Sequence, residues 1–534
     1  MRHRTVLIVL AMAGAAIAVA PAPAAAPPAP LFAAADRCLA CHNGMTTPSG
    51  EDVSIGFAWR ASIMANAARD PYWQAAVRRE TVDHRDAAPR IEDECAACHM
   101  PMARFQARAA GRQGEIFTHL GDPLAIDGVS CSLCHQLQNG GPGLEHDGEF
   151  RIDTARAWGD RLVYGPYDIP QPRAEVMHSA TGFRPARAAN VETSELCSTC
   201  HTLYTTPLDA GPDKASAPFP EQVPYLEWRA SAYVGEKTCQ ACHMTFTAEA
   251  VPASSVLGEP RRRFARHGFQ GANFFMLGML ARYASELGVA ALPQELTASR
   301  QRTLEMLEAE AASLSIAHAE LRDGHLEVEV AVTNTAGHKL PTAYPSRRAW
   351  LRFAVTDAGG RRLFVSGELR PDGSIVGNDN DRDPLAFEPH HRVIDAPDQV
   401  QIYESILGDG GGRVTTGLLA AVRYLKDNRL LPRGFDKRTA PADCAVRGDA
   451  ADDPDFQGGG DRVIYRASVP PGAAGPLRIE VDLLYQPIAF RWAHNLDRYA
   501  AAPEAARFVR YYDAMSSGSA TALARASATV NSIR

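Results

Sequence analysis

Beyond its first twenty or so residues, the 534-residue chain has no apolar run long enough to cross a bilayer. It has no excess of positive charge either. Fifty-five Lys and Arg against 62 Asp and Glu give a formal charge of −7, which excludes the basic face that nucleic acid requires. The chain lacks the polar bias of a disordered protein, since 46% of residues are hydrophobic and 22% charged. It also has almost no cysteine outside one pattern. Ten of its 11 cysteines follow a single spacing, and only Cys444 stands apart, as a buried or inert thiol. A disulfide framework is therefore not expected.

What is present begins with residues that read as a secretory signal, 1–26. Met1-Arg2-His3-Arg4 is basic, Thr5 to Val19 is apolar, and Pro21 to Pro30 is a run of Ala and Pro suited to cleavage. The expectation is a soluble protein of the periplasm or the extracellular space.

The repeated pattern is two cysteines separated by two residues and followed at once by histidine. It occurs as Cys38-Leu-Ala-Cys41-His42, Cys95-Ala-Ala-Cys98-His99, Cys131-Ser-Leu-Cys134-His135, Cys197-Ser-Thr-Cys200-His201 and Cys239-Gln-Ala-Cys242-His243. This spacing suits one covalent haem each: two thioethers fix the vinyl positions, and the adjacent His lies under the iron as proximal ligand. Two Cys-x-x-Cys pairs can also make a four-cysteine zinc site, but zinc does not need a His after every second Cys. Five haem c groups are expected, and their propionates would add about ten negative charges.

Hydrophobic patterning then divides the chain. Residues 27–265 hold all five motifs and are dense in Gly, Pro and Arg. Residues 266–315 read as a helical connector, with a longer helix from Gln294 to Leu314. Residues 316–490 alternate with a period of two, as in Leu326 to Val332, Trp350 to Val355, Val463 to Ala467 and Leu477 to Tyr485, with a turn at Asp357-Ala-Gly-Gly360. Residues 491–534 form a tail expected to be helical from about Pro503 to Ala526. The fold class is α+β: a haem-rich, mostly helix and coil N-terminal multihaem domain, a helical segment, then a C-terminal β-sandwich-like domain. A faint echo links Trp59-Arg-Ala-Ser62, upstream of the second motif, to Trp228-Arg-Ala-Ser231, upstream of the fifth.

A haem with both axial positions filled only passes electrons, so the sixth ligand decides function. His178 before the fourth motif, His267 after the fifth, and His119 before the third are candidates from near the motifs. His338 lies in a Gly/Pro-bounded loop, Asn334 to Thr342, between two predicted strands. Met64 is the candidate thioether. His84, His146 and His390 are reserves, and Met100 and Met244 are expected to pack against the rings. The oxygen-rich Gly377 to Pro384 lacks the glycine of a calcium loop and reads as a solvated turn.

The five motifs, the Trp-x-x-Ser elements, and the phrases Asp127-Gly-Val-Ser-Cys131-Ser-Leu-Cys134-His135 and Glu195-Leu-Cys197-Ser-Thr-Cys200-His201 resemble the cytochrome c554-type multihaem family, which carries a cytochrome c-552/4 domain. The likeness covers roughly residues 37–245. In that family the residue two beyond the Ser is often a distal His; here it is Met64 or Tyr233. Gly337-His-Lys-Leu-Pro-Thr342 to Trp350 is similar to a loop of large multihaem cytochromes with β-rich C-terminal parts. The expectation is an electron carrier rather than an enzyme, served by redox partner proteins or quinol-oxidising complexes, with no nucleic acid, and with self-association into a haem wire as a further form. The alternative is a reductase of a small nitrogen or sulfur oxyanion at a five-coordinate haem, for which the Tyr233 position offers a place.

Overall fold

The computed structural model describes residues 30–138, 146–208 and 217–531. The expected signal segment, 1–26, lies outside them. No helix among the described residues is long and apolar enough to cross a membrane.

The N-terminal part is built from short helices. Single-turn helices at Asp36–Leu39, Cys131–Cys134, Glu195–Ser198 and Cys239–His243 carry four of the motifs. Two longer helices stand among them, α1 (Pro71–Asp83) and α2 (Ala88–His99), and the second motif ends α2. Helix α1 starts where Asp70 accepts the backbone N–H groups of Tyr72 and Trp73, with Pro71 in the first turn. The apolar cores here are small and separate. One gathers Trp73, Ile91, Ala96 and Met100; another gathers Phe32, Met102, Leu133 and Phe150. Such dispersed cores leave room between them, as expected where large cofactors supply packing.

A single large core occupies the C-terminal half. Helix α3 (Phe274–Arg282) buries Phe274, Phe275, Met276, Leu277, Met279 and Leu280. Helix α4 (Pro293–Glu310) follows, and strand β1 (Ala312–Arg322) begins two residues after it. The helix expected through Leu314 therefore ends earlier. Leu314 and Ile316 alternate with serines and pair with Val332 and Val330 of β2 (His325–Asn334), so tertiary pairing overrides helical periodicity.

The remaining strands are β3 (Arg348–Thr356), β4 (Arg362–Ser366), β5 (Ile402–Asp409), β6 (Ala421–Asp427), β7 (Gly460–Ser468), β8 (Leu477–Gln486) and β9 (Thr521–Val530). The turn expected at Asp357-Ala-Gly-Gly360 joins β3 to β4, which pair antiparallel. Strands β1, β2 and β7 form a four-stranded sheet with Val393–Ile394, and the others form a seven-stranded sheet with Val414–Thr415. Strand β2 alternates buried and open residues, the mark of one solvated face. Strand β3 is buried along nearly its whole length, because both faces of the large sheet are covered. On one face Phe353 stacks on Tyr465 of the small sheet, ring centroids 3.9 Å apart. On the same face Phe274 of α3 meets Tyr485, and on the other Trp350 packs with Ile375, Val400 and Ile402.

From Pro503 onward the tail is α-helical only over α5 (Pro503–Asp513). The segment expected to be helix up to Ala526 becomes β9, which pairs with β8 from Thr521 to Val530. Its Ala, Thr and Val alternate at the period of a strand. The Gly377 to Pro384 turn is also not solvated. Asp381 is buried and holds Arg348 through two contacts of 2.8 and 2.9 Å.

Candidate haem-binding site

The five motif histidines share one arrangement with a single exception. The Nδ1 atoms of His42, His99, His135 and His243 lie 2.6, 3.0, 2.6 and 2.5 Å from the carbonyl oxygens of Ala253, Ala67, Tyr164 and Gln270. A carbonyl accepts only from N–H, so Nδ1 carries the proton and Nε2 keeps its lone pair free for a metal. All ten motif cysteines are free and half-buried. Among the described residues, none of them joins a cluster of three or more metal-ligating groups, so the pairs do not close into zinc sites.

Two sequence-predicted histidines face motif histidines. His267 lies opposite His135, centroids 6.5 Å apart and planes 18° from parallel. His338 lies opposite His243, at 6.2 Å and 9°. An iron about 2 Å from each of two ring nitrogens sets axial imidazole centroids about 6 Å apart. The Nδ1 atoms of His267 and His338 each approach a backbone carbonyl at 2.9 Å, of Ala265 and Lys339. The residues therefore fit haem at the third and fifth motifs. Burial, together with the neighbouring His135, pushes the His267 imidazole down to about 4.

Other candidates fall elsewhere. His178 commits Nε2 to the carbonyl of Gly159. His119 ends a helical turn whose Ile116 N–H donates to Glu92 of α2, so it lies beside the second motif rather than the third, which it precedes. The Met64 carbonyl accepts from Val129 next to the third motif, where His135 already faces His267. His84 lies 3.7 Å from Glu80, and His146 Nδ1 lies 2.8 Å from Asp147. His390 is buried in the β-domain. Its Nδ1 accepts from Gln401 and Asn428, so its Nε2–H donates to Asp453. Met100 is buried beside the second motif, and Cys444 is buried with its thiol pushed up to about 11 by desolvation. Tyr233 donates its hydroxyl to Thr335 O at 2.9 Å. His338, not Tyr233, is the residue whose ring faces His243 of the fifth motif.

Sequence reasoning missed the framework that aims the facing histidines. Trp59 Nε1 donates to Val129 O at 2.9 Å, and Trp228 Nε1 to Lys237 O at 3.0 Å. Each carbonyl lies two residues before the first cysteine of a motif, the third and the fifth. The first echo thus belongs with the third motif, not the second. Counting from each Trp to the carbonyl before each motif would have revealed this. The His338 loop is held by four buried charges. Lys339 Nζ lies 2.7 Å from Asp427, Arg429 bonds Asp427 at 2.8 Å and Glu227 at 2.9 Å, and Glu227 immediately precedes Trp228.

The motifs also meet one another. Cys38 lies near Cys131, Cys197 near Cys239, and Cys200 near Cys98. Cys134 acts electrostatically on both Cys197 and Cys200. Two matched pairs result, first with third and fourth with fifth, each with a Trp cap on its second member. His201 is the exception among the motif histidines. Its residue surface is exposed, yet protein mass around it pushes its imidazole down to about 4, with His243 and Arg347 adding to the effect.

No family model and no curated protein matches the chain. Among solved structures it is similar to a penta-haem cytochrome c552 from Thermochromatium tepidum, with a TM-score of 0.51, 14% identity, and coverage of 94% of this chain and 99% of that one. At this identity the likeness is one of fold. It supports the α+β class and no more than that, and the cytochrome c554 likeness finds no match of its own.

Proposed function

We propose that the chain is an exported pentahaem c-type cytochrome that carries electrons. Haem c bound at the five motifs would supply reversible one-electron chemistry. The observation that carries the reading is the two facing imidazole pairs, His135 with His267 and His243 with His338. In each pair backbone carbonyls hold both Nδ1 protons, which leaves both Nε2 atoms free to serve as ligands. Filling both axial positions excludes substrate. Cys38, Cys41, Cys95, Cys98, Cys131, Cys134, Cys197, Cys200, Cys239 and Cys242 provide the thioether bonds, and His42, His99 and His201 are the other proximal ligands. His119 is the proposed partner of the second motif, because its helical turn is tied to α2. His178 is left out, since its Nε2 is committed to a carbonyl.

One observation favours a second reading, reduction of a small nitrogen or sulfur oxyanion. The open His201 has the Arg347 cation beside it, a setting that attracts anions. Electron paramagnetic resonance of the loaded protein, with haem counted per chain, separates the two. Five low-spin haems are expected. A high-spin signal that shifts with nitrite or hydroxylamine would replace the carrier by the reductase.

A further inference from the structure

The second motif's histidine is held differently from the other four. His99 closes α2, and its Nδ1–H meets Ala67 O at 3.0 Å. The Trp73 indole lies flat on the same ring, with centroids 4.3 Å apart and planes 4° from parallel. Among the described residues, no other motif histidine stacks on the ring of a Trp, Tyr or Phe. The Nε2 lone pair lies in the plane of the imidazole, so a partner on its face leaves that atom clear for iron.

Both contacts come from one short stretch. Ala67 stands in the turn before α1, and Trp73 in its first turn. Between them Asp70 accepts the N–H groups of Tyr72 and Trp73 at 2.8 and 3.1 Å, and Gln74 Nε2 donates to Ala68 O at 2.7 Å. The stretch is thus tied to itself. Helix α5 braces it from outside: Arg507 donates to Gln74 Oε1, and Arg78 binds Glu504 through two contacts of 3.0 Å. Trp73 is 9% exposed and packs with Val77, Ile91, Ala96 and Met100, which fixes the indole in place. The hydrogen bond to Ala67 aims the His99 ring, and the stack on Trp73 sets its plane.

We propose that Trp73 is a positioning residue that tunes the second motif's haem, acting through His99 to hold it at a lower potential than the imidazole alone would give. The proposal rests on the electron-carrier reading. The face of an indole is electron-rich and attracts a neighbour that carries positive charge. An imidazole bound to ferric iron carries more of that charge than one bound to ferrous iron. The stack is therefore stronger in the oxidised state, and favouring that state lowers the potential. A Trp that merely filled the core beside α2 would make no such distinction between the two states.

The test is a redox titration of the haem-loaded full chain, followed by optical and paramagnetic resonance spectra. W73L keeps apolar bulk but removes the stack, and W73F keeps a smaller aromatic face. One haem midpoint should rise in the order wild type, W73F, W73L, with the oxidised-to-reduced ratio of that haem changing by about threefold in W73L. The g values of one haem should move with it, and the other haems should stay as they are. Growth on fluorotryptophan weakens the indole face without changing its shape. It replaces all six tryptophans, yet one midpoint should rise in wild type and none in W73F, and this comparison decides the matter where W73L fails to hold haem. Midpoints indifferent to fluorination, a W73L spectrum and titration equal to wild type, or equal shifts in W73F and W73L would overturn the proposal while leaving the carrier reading intact. A wild type whose second motif binds no haem would bring down both.

Discussion

Replacing Asp427 by Asn would release the loop that presents His338. Lys339 and Asp427 are 0% and 1% exposed at their side chains, and their contact of 2.7 Å is shared with Arg429 at 2.8 Å. Glu227 closes the set on Arg429, so two cations balance two anions. The substitution leaves an uncompensated buried positive charge. Removing one partner of such a group costs about 3–5 kcal/mol. At about 2 °C per kcal/mol for a large chain, the unfolding midpoint should fall by about 6–10 °C. The pH dependence should change with it. Burial opposes ionisation of Asp427, but Arg429 and Lys339 outweigh it and hold the carboxyl well below its ordinary range. The contribution is therefore present above the unfolded value, about 4, and is lost as pH falls through the lower folded value. The variant should lack that acid loss. Thermal unfolding followed by circular dichroism gives the midpoint, and paramagnetic resonance of the loaded protein should show one haem turning high-spin as His338 drifts from His243. A midpoint within about 2 °C of wild type, with all haems still low-spin, would refute the reasoning.

Further outcomes follow from the same geometry. H267A and H338A should each convert one haem to high-spin, at the third and fifth motifs, with the effects additive in the double variant; a spectrum unchanged by either would break that axial pairing. W59F should cost about 1–2 kcal/mol and W228F less than about 1 kcal/mol, because Trp59 is buried and Trp228 is partly open; chemical denaturation measures both, and the reverse ranking would show that burial does not set the worth of these hydrogen bonds. Burial, then the nearby Glu80, pushes Glu221 up to about 8. The folded state therefore holds a proton that the unfolded state has lost above about pH 4.5, and stability should decline from there to about pH 8. E221Q should flatten that decline, and an unaltered pH–stability slope in E221Q would dismiss Glu221 as its source.

The five Cys-x-x-Cys-His motifs were legible because the chemistry they suggest is local: two thiols and an imidazole within one turn suit one macrocycle. His267 and His338 were legible as candidates for a weaker reason, a histidine in a Gly-rich segment. Which motif each would face depended on folding over long sequence separations, 132 residues for His135 and His267 and 95 for His243 and His338. The β-domain was read well where alternation was strict, as in β2 and β8. It was misread where alanine blurs the two periods, at Ala312 and again at Ala522 to Ala526, because alanine fits either backbone and cross-strand partners decide. The Asp381 loop was misread because nothing in its own residues announces Arg348 as a partner. The Lys339 network was invisible for the same reason, since Glu227, Lys339, Asp427 and Arg429 come from three separate segments.

The neighbouring cysteines of different motifs form a branched graph rather than a line. The first motif touches only the third. The third reaches the fourth through Cys134, and the fourth touches both the second, through Cys200 and Cys98, and the fifth, through Cys197 and Cys239. Order along the chain and order in space therefore differ, and the fourth motif is the only node with three neighbours. Deleting the first trims a terminus and leaves the other four connected. Deleting the fourth splits the set into three pieces: a pair, and two isolated members. A set of neighbours with this topology tolerates loss at its ends far better than at its hub, and the hub holds His201, the one motif histidine whose surface stands open.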